Sequence, residues 1–172
     1  RRVLFRSTLR ASPEARSSGT TPTTAAIYID RAGSTEITNS GQIIGDGLAA
    51  IRVATGNVSL TNSGAITGDV VFGPGDDMYA PKTGSTLLGT LDAGGGNNFL
   101  FLNGAGDFAT KTLNFTLMIK NGAGTWTLHN SQAISSQANI LDGVLRVAPD
   151  GRLQAPAVGV VSGVLAGNGA VD

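Results

Sequence analysis

The chain has 172 residues, enough for one domain with a core; 41% are hydrophobic, 14% charged and 5% aromatic, and that apolar content excludes disorder of the whole chain. Twelve Lys and Arg balance twelve Asp and Glu, yet Arg1, Arg2, Arg6, Arg10 and Arg16 against Glu14 put +4 on the first 16 residues and −4 on the other 156, a mildly acidic body with no basic stripe for nucleic acid. Without Cys there are no disulfides or thiolate metal sites, and the longest weakly apolar run, 157–167, is about half the roughly 20 residues a membrane-spanning helix needs.

In chain order, residues 1–24 come first. The opening RRVLFRS reads like the translation of a sequencing adapter, so residues 1–7 are expected to be an artefact. Residues 1–24 as a whole are expected to be disordered, with a genuine basic tail as the alternative. With Arg at position 1 and no signal peptide, the chain is expected to be a piece of a longer protein.

From residue 25 the sequence repeats, and the repeats carry the fold. AAIYIDRAGSTEITNSGQIIGDG (25–47) aligns with AAIRVATGNVSLTNSGAITGDV (49–70), so that Thr38-Asn39-Ser40-Gly41 falls on Thr61-Asn62-Ser63-Gly64, 23 residues on. ITGDVVFGPGDDMY (66–79) lies over LLGTLDAGGGNNFL (87–100) at a spacing of 21, and Asn103-Gly104-Ala105-Gly106 is answered by Asn121-Gly122-Ala123-Gly124. Within each unit, short alternating apolar runs (Ile27, Ile29; Val58, Leu60; Phe99, Phe101) are punctuated by Asn, Ser, Gly and Asp, which is strand and turn chemistry. No segment has helical period. The spacing predicts an all-β, right-handed parallel β-helix over residues 25–172, with coils of about 21 to 23 residues and two or three strands in each. Asn39 and Asn62 are expected to share one corner of successive coils, their amides bonding to each other and to corner backbone. Ile37 is expected on Leu60, and Ile43 on Ile66. An open edge is expected at each end, with fraying or aggregation.

NGAGTWTLHNSQAI (121–134), ANILDGVLRVAPDGRL (138–153) and VGVVSGVLAGNGAV (158–171) resemble the passenger-associated repeat of bacterial autotransporters. Gly122, Gly124, Thr125, Trp126, Thr127 and Leu128 stand at matching positions, as do Gly143, Leu145, Val147, Gly163, Leu165, Gly167, Gly169 and Val171. Ser131-Gln132-Ala133 departs from the usual Asn-Thr-Tyr. The resemblance implies a secreted or surface-exposed passenger, exported through an outer-membrane barrel that is not in this sequence. It further implies a structural stalk presenting adhesive or effector regions, of the kind that serve virulence, to a host surface, a matrix component or other bacterial cells. No enzyme activity and no cofactor is expected.

Several residues invite sharper readings. Asp46 and Asp69 share a repeat position and could bind Ca²⁺ or act as an acid and base pair on a polysaccharide, though the repeat continues with Thr90; solvated turn residues are the preferred reading. Gly73-Pro74-Gly75-Asp76-Asp77 resembles half of a Ca²⁺-binding nonapeptide, so Asp76 and Asp77 are weak Ca²⁺ candidates, with Asn98 in the place of Asp77 one unit on. His129 is the only His, Ser162 reads as a turn, and Trp126 as a core or interface aromatic. Asn57-Val58-Ser59 and Asn114-Phe115-Thr116 match the glycosylation pattern. Rival readings are a β-helix polysaccharide lyase or hydrolase, which needs Asp, Arg or Lys converging on one face, and a Ca²⁺-stabilised repeat protein. Arg52, Lys82, Lys111 and Lys120 share no evident coil position.

Overall fold

A computed structural model describes residues 2–5, 8–10, 25–45 and 49–172, and none of these is helical. The chain is an all-β parallel solenoid of about seven turns. Its strands are β1 (Arg2–Phe5), β2 (Thr8–Arg10), β3 (Ala25–Asn39), β4 (Gln42–Ile44), β5 (Ala49–Asn62), β6 (Ala65–Thr67), β7 (Val70–Val71), β8 (Met78–Pro81) and β9 (Thr86–Leu88). They continue as β10 (Thr90–Asp92), β11 (Phe99–Asn103), β12 (Gly106–Phe108), β13 (Lys111–Asn121), β14 (Thr125–Ile140), β15 (Val144–Gln154), β16 (Ala157–Val160), β17 (Val164–Gly167) and β18 (Ala170–Val171).

Each coil runs along three faces. On the first, backbone pairing stacks Ile27, Ile51, Val70, Leu91, Thr112, Gln132, Leu153 and Val171 in one column. On the second, Ile37, Leu60, Tyr79, Leu100, Met118, Ala138 and Val158 stack in the same way. The third carries Ile43, Ile66 and Leu87, then Phe108, Leu128 and Val147. Both stacks expected from the repeats, Ile37 on Leu60 and Ile43 on Ile66, are present. So is the equivalence of 66–79 with 87–100, through Ile66 to Leu87 and Tyr79 to Leu100. Alternation of side chains turns each column inward, and Ile37, Ile43, Ile51, Leu60, Ile66, Leu91 and Leu100 are completely buried. Each such burial is worth roughly 1.5 to 3 kcal/mol, and together they form one unbroken core.

Of residues 1–24, 2–5 and 8–10 lie among the described ones. There β1 pairs with the second half of β3 and β2 pairs with β4, extending the solenoid by part of a coil. At the other end, β16, β17 and β18 have a neighbour on one side only, and Val160, Val161, Val164 and Val171 are exposed.

The third face is split. A four-stranded sheet in the order β2-β4-β6-β9 ends at β9, and β12 belongs to the 14-stranded sheet through β14, so β9 and β12 do not pair. Across this seam the Thr110 hydroxyl donates to the Leu87 carbonyl at 3.0 Å and the Thr83 hydroxyl to the Ala105 carbonyl at 2.6 Å. Where a ladder is missing, local opening requires less energy. Native-state hydrogen exchange is expected to find the β9 and β12 amides that face the seam exchanging faster than those paired within β4 and β6 or within β14 and β15. Uniform protection along the third face would contradict this.

Candidate functional site

Most polar side chains singled out by the sequence lie at corners, where the chain turns and backbone groups lose their ladder partners. At the first corner the Asn39 amide donates to the Asn62 side-chain oxygen at 2.8 Å and to the Ala65 carbonyl at 3.2 Å. Asn62 donates in turn to the Thr86 carbonyl at 3.1 Å and lies 3.4 Å from the Tyr79 hydroxyl. Both Asn side-chain oxygens accept the N–H two residues on, that of Gly41 and Gly64 respectively. The expected amide ladder is thus present, and it stops where Pro81 follows Asn62 in register. Gly64 is required beneath it, because a Cβ there would stand 2.1 Å from the Gly41 carbonyl oxygen. Replacing Asn62 with Ala orphans the Gly64 N–H and the Thr86 carbonyl and is expected to destabilise the fold by about 2 kcal/mol. Urea unfolding measures it, with the half-exposed Thr61→Ala as the control.

Asp76 and Asp77 point into different ladders. The Asp76 carboxylate accepts the Asn97 N–H at 2.8 Å, while its own N–H donates to the Asn57 side chain at 3.1 Å. Asp77, only 1% exposed, accepts the Val58 N–H at 2.5 Å through Oδ1, and its N–H donates to the Asn98 side-chain oxygen at 2.9 Å. The Asn98 N–H donates to the Thr116 hydroxyl at 3.1 Å, so Val58, Asp77, Asn98 and Thr116 form one stack. Asp77 Oδ2 is buried with no partner. Burial pushes the Asp77 carboxyl up to about 6, against the Val58 hydrogen bond and with help from the Asp76 charge. Asp69 accepts the Thr90 N–H at 2.7 Å, while Asp46 lies outside the described residues. Among the described residues, no three His, Cys, Asp or Glu form a group able to hold a metal ion.

Lys120 is a basic residue that the repeat pattern does not mark as buried. It takes an inward position between Leu102 and Ile140, fully buried. Its ammonium donates to the carbonyls of Asn121 (3.2 Å), Gly122 (2.6 Å) and Asp142 (3.0 Å), which uses all three of its protons. Burial lowers its pKa, and the Asp142 carboxylate opposes that. Gly122, Gly124 and Gly143 build the same corner with positive φ, and a Cβ on Gly143 would stand 2.5 to 2.7 Å from the Gly124 and Gly122 oxygens and the Lys120 Nζ. Gly167 and Gly169 approach the preceding coil equally closely, at the Val147 and Ala148 carbonyls. Trp126 is a core residue, its indole N–H donating to the Asn103 carbonyl at 3.2 Å. Tyr79 is also buried, which pushes its phenol up. Ser162 lies exposed in a bend, and Asn57 and Asn114 are exposed.

A shallow groove of about 670 Å³ runs over β1, β3, β5 and β8, lined by Arg2 and Glu36, 3.7 Å apart, and by Asp76. A cleft of about 370 Å³ opens at the seam, walled by Tyr79, Leu87 and Phe108. On the third face His129 stands between Asp107 and Asp150. Arg52 and Lys111 are exposed and Lys82 half-buried, and among the described residues none of the three enters an ion pair. No helix of the described residues is long and apolar enough to cross a membrane. Compared with protein-family models, with curated proteins and with solved structures, the chain finds no match.

Proposed function

We propose that this chain is a stretch of the structural stalk of a bacterial autotransporter passenger, holding adhesive or effector regions away from the cell surface. The observation that carries the reading is the use made of its polar side chains. Asn39, Asn62, Asp77, Asn98 and Lys120, which have the chemistry to bind or react, are buried and bonded to the frame of the coil. Gly122, Gly124, Trp126 and Gly143, which carry the family resemblance, occupy positions that the coil geometry needs. In this reading ligands of the host surface, the extracellular matrix or other bacteria are met by regions other than the coil body. Function belongs to sites grafted on such a frame, not to the frame.

The test uses cells of the source bacterium and antibody raised against the chain. The expected result is antigen accessible to protease on intact cells, together with no turnover of a glycan panel by the purified chain. Antigen confined to the cytoplasm would overturn the surface assignment. A second reading, a polysaccharide lyase or hydrolase, is favoured only by the groove that carries Arg2, Glu36 and Asp76. Glycan cleavage that Glu36→Gln abolishes would replace the stalk with that enzyme.

A further inference from the structure

The third face brings one side chain from each of three successive coils into line: Asp107 on β12, His129 on β14 and Asp150 on β15. His129 Nδ1 is 2.9 and 3.1 Å from the two Asp150 oxygens, which fixes the ring and places the proton of a neutral imidazole on Nδ1. Nε2, which then carries the lone pair, lies 3.7 Å from Asp107 Oδ1. That distance is too long for a hydrogen bond, and it opposes one acceptor to another. A cation with bonds of about 2.0 to 2.2 Å to imidazole nitrogen and carboxylate oxygen fits between them after a shift of a few tenths of an ångström. The Asp107 side chain is 77% exposed, and among the described residues its one ion pair is the long approach to His129, so its carboxylate can close that gap.

We propose that Asp107 and His129 form a surface site for a divalent ion of the zinc class, with Asp150 as the positioning residue. A carboxylate on the second ring nitrogen is the usual partner of a metal-bound His: it sets the tautomer and raises the basicity of the ligand. Imidazole selects zinc, copper or nickel over the hard cations Ca²⁺ and Mg²⁺. With two protein ligands the site leaves its remaining positions to water, and its affinity is modest. Arg146 follows Thr127 in the outer row that starts at Asp107, and it is the basic side chain nearest in register.

The experiment is a titration of the intact chain with Zn²⁺ at neutral pH, read on the His129 ring nitrogens by ¹⁵N NMR, with Mg²⁺ as control. The expected result is a saturable one-to-one shift centred on Nε2, absent with Mg²⁺ and abolished in Asp107→Asn. Asp150→Asn is expected to weaken binding by about tenfold or more and to mix the tautomers in the free protein. An unmoved Nε2 resonance in the wild-type chain would overturn the proposal, as would a Zn²⁺ shift that survives Asp107→Asn. The wild-type titration stands even if a variant misfolds.

Discussion

Replacing Trp126 with Ala is expected to destabilise the solenoid by about 3 to 5 kcal/mol, the range for deleting a fully buried large aromatic. The indole is 1% exposed, lies beneath Gly106 and ties coil to coil through its bond to the Asn103 carbonyl. An ideal Cβ on Gly106 would stand 2.8 Å from the outer carbons of the ring, so Gly106 is short because Trp126 is large. The two positions must therefore be coupled. Gly106→Ala alone is expected to destabilise by overpacking, and in the Trp126→Ala background by far less, since the added methyl then enters the vacated space. A double-mutant cycle by urea unfolding, followed by far-UV circular dichroism, measures this coupling. Strict additivity of the two substitutions would show that the ring does not pack where the structure places it.

Asp77→Asn is expected to stabilise the protein at neutral pH by up to about 3 kcal/mol, the free energy of a shift of roughly two pKa units. The carboxyl titrates at about 6 in the fold against 3.8 for the unreacted group, so between these values the native state holds more protons than the unfolded chain. Stability therefore falls as pH rises from about 4 through about 6, and the favourable contribution is fully present only below that window. Asn removes the dependence, and the next coil shows that it fits. Asn98 at the same corner accepts the Asp77 N–H and donates its amide to the carbonyls of Gly95 and Asn114. Gly95 stacks on Pro74 of the preceding coil, where a Cβ on Gly95 would stand 3.3 Å from the Pro74 Cα. Thermal unfolding from pH 4 to 8 should show the wild-type midpoint dropping across the window and the variant midpoint flat. Equal slopes would mean that Asp77 Oδ2 has found water or a donor.

The same register explains why so much was legible beforehand. A parallel solenoid repeats one environment per coil, so Asn39 over Asn62 and Asp77 against Asn98 could be read from spacing alone. Lys120 could not, because a basic residue is read as solvated; the available signal was its place two residues beyond the inward Met118. His129 looks isolated in the sequence because its partners lie about one coil away in each direction, at Asp107 and Asp150. The seam between β9 and β12 leaves no mark on the repeat, since Leu87 and Phe108 keep the 21-residue spacing and only the backbone pairing is lost. Residues 2–5 and 8–10 pair as strands by backbone hydrogen bonding, which composition does not report.

Parallel, in-register coils are the premise on which the ladders, the buried lysine and the aligned Asp107, His129 and Asp150 all depend. Solution NMR of this 17.4 kDa chain addresses it most directly. Side-chain nuclear Overhauser contacts are expected to run Ile37 to Leu60, Leu60 to Tyr79 and Tyr79 to Leu100, without close Hα to Hα contacts between neighbouring strands. Strong Hα to Hα contacts, which antiparallel pairs give, or an Ile37 that does not touch Leu60, would contradict the solenoid.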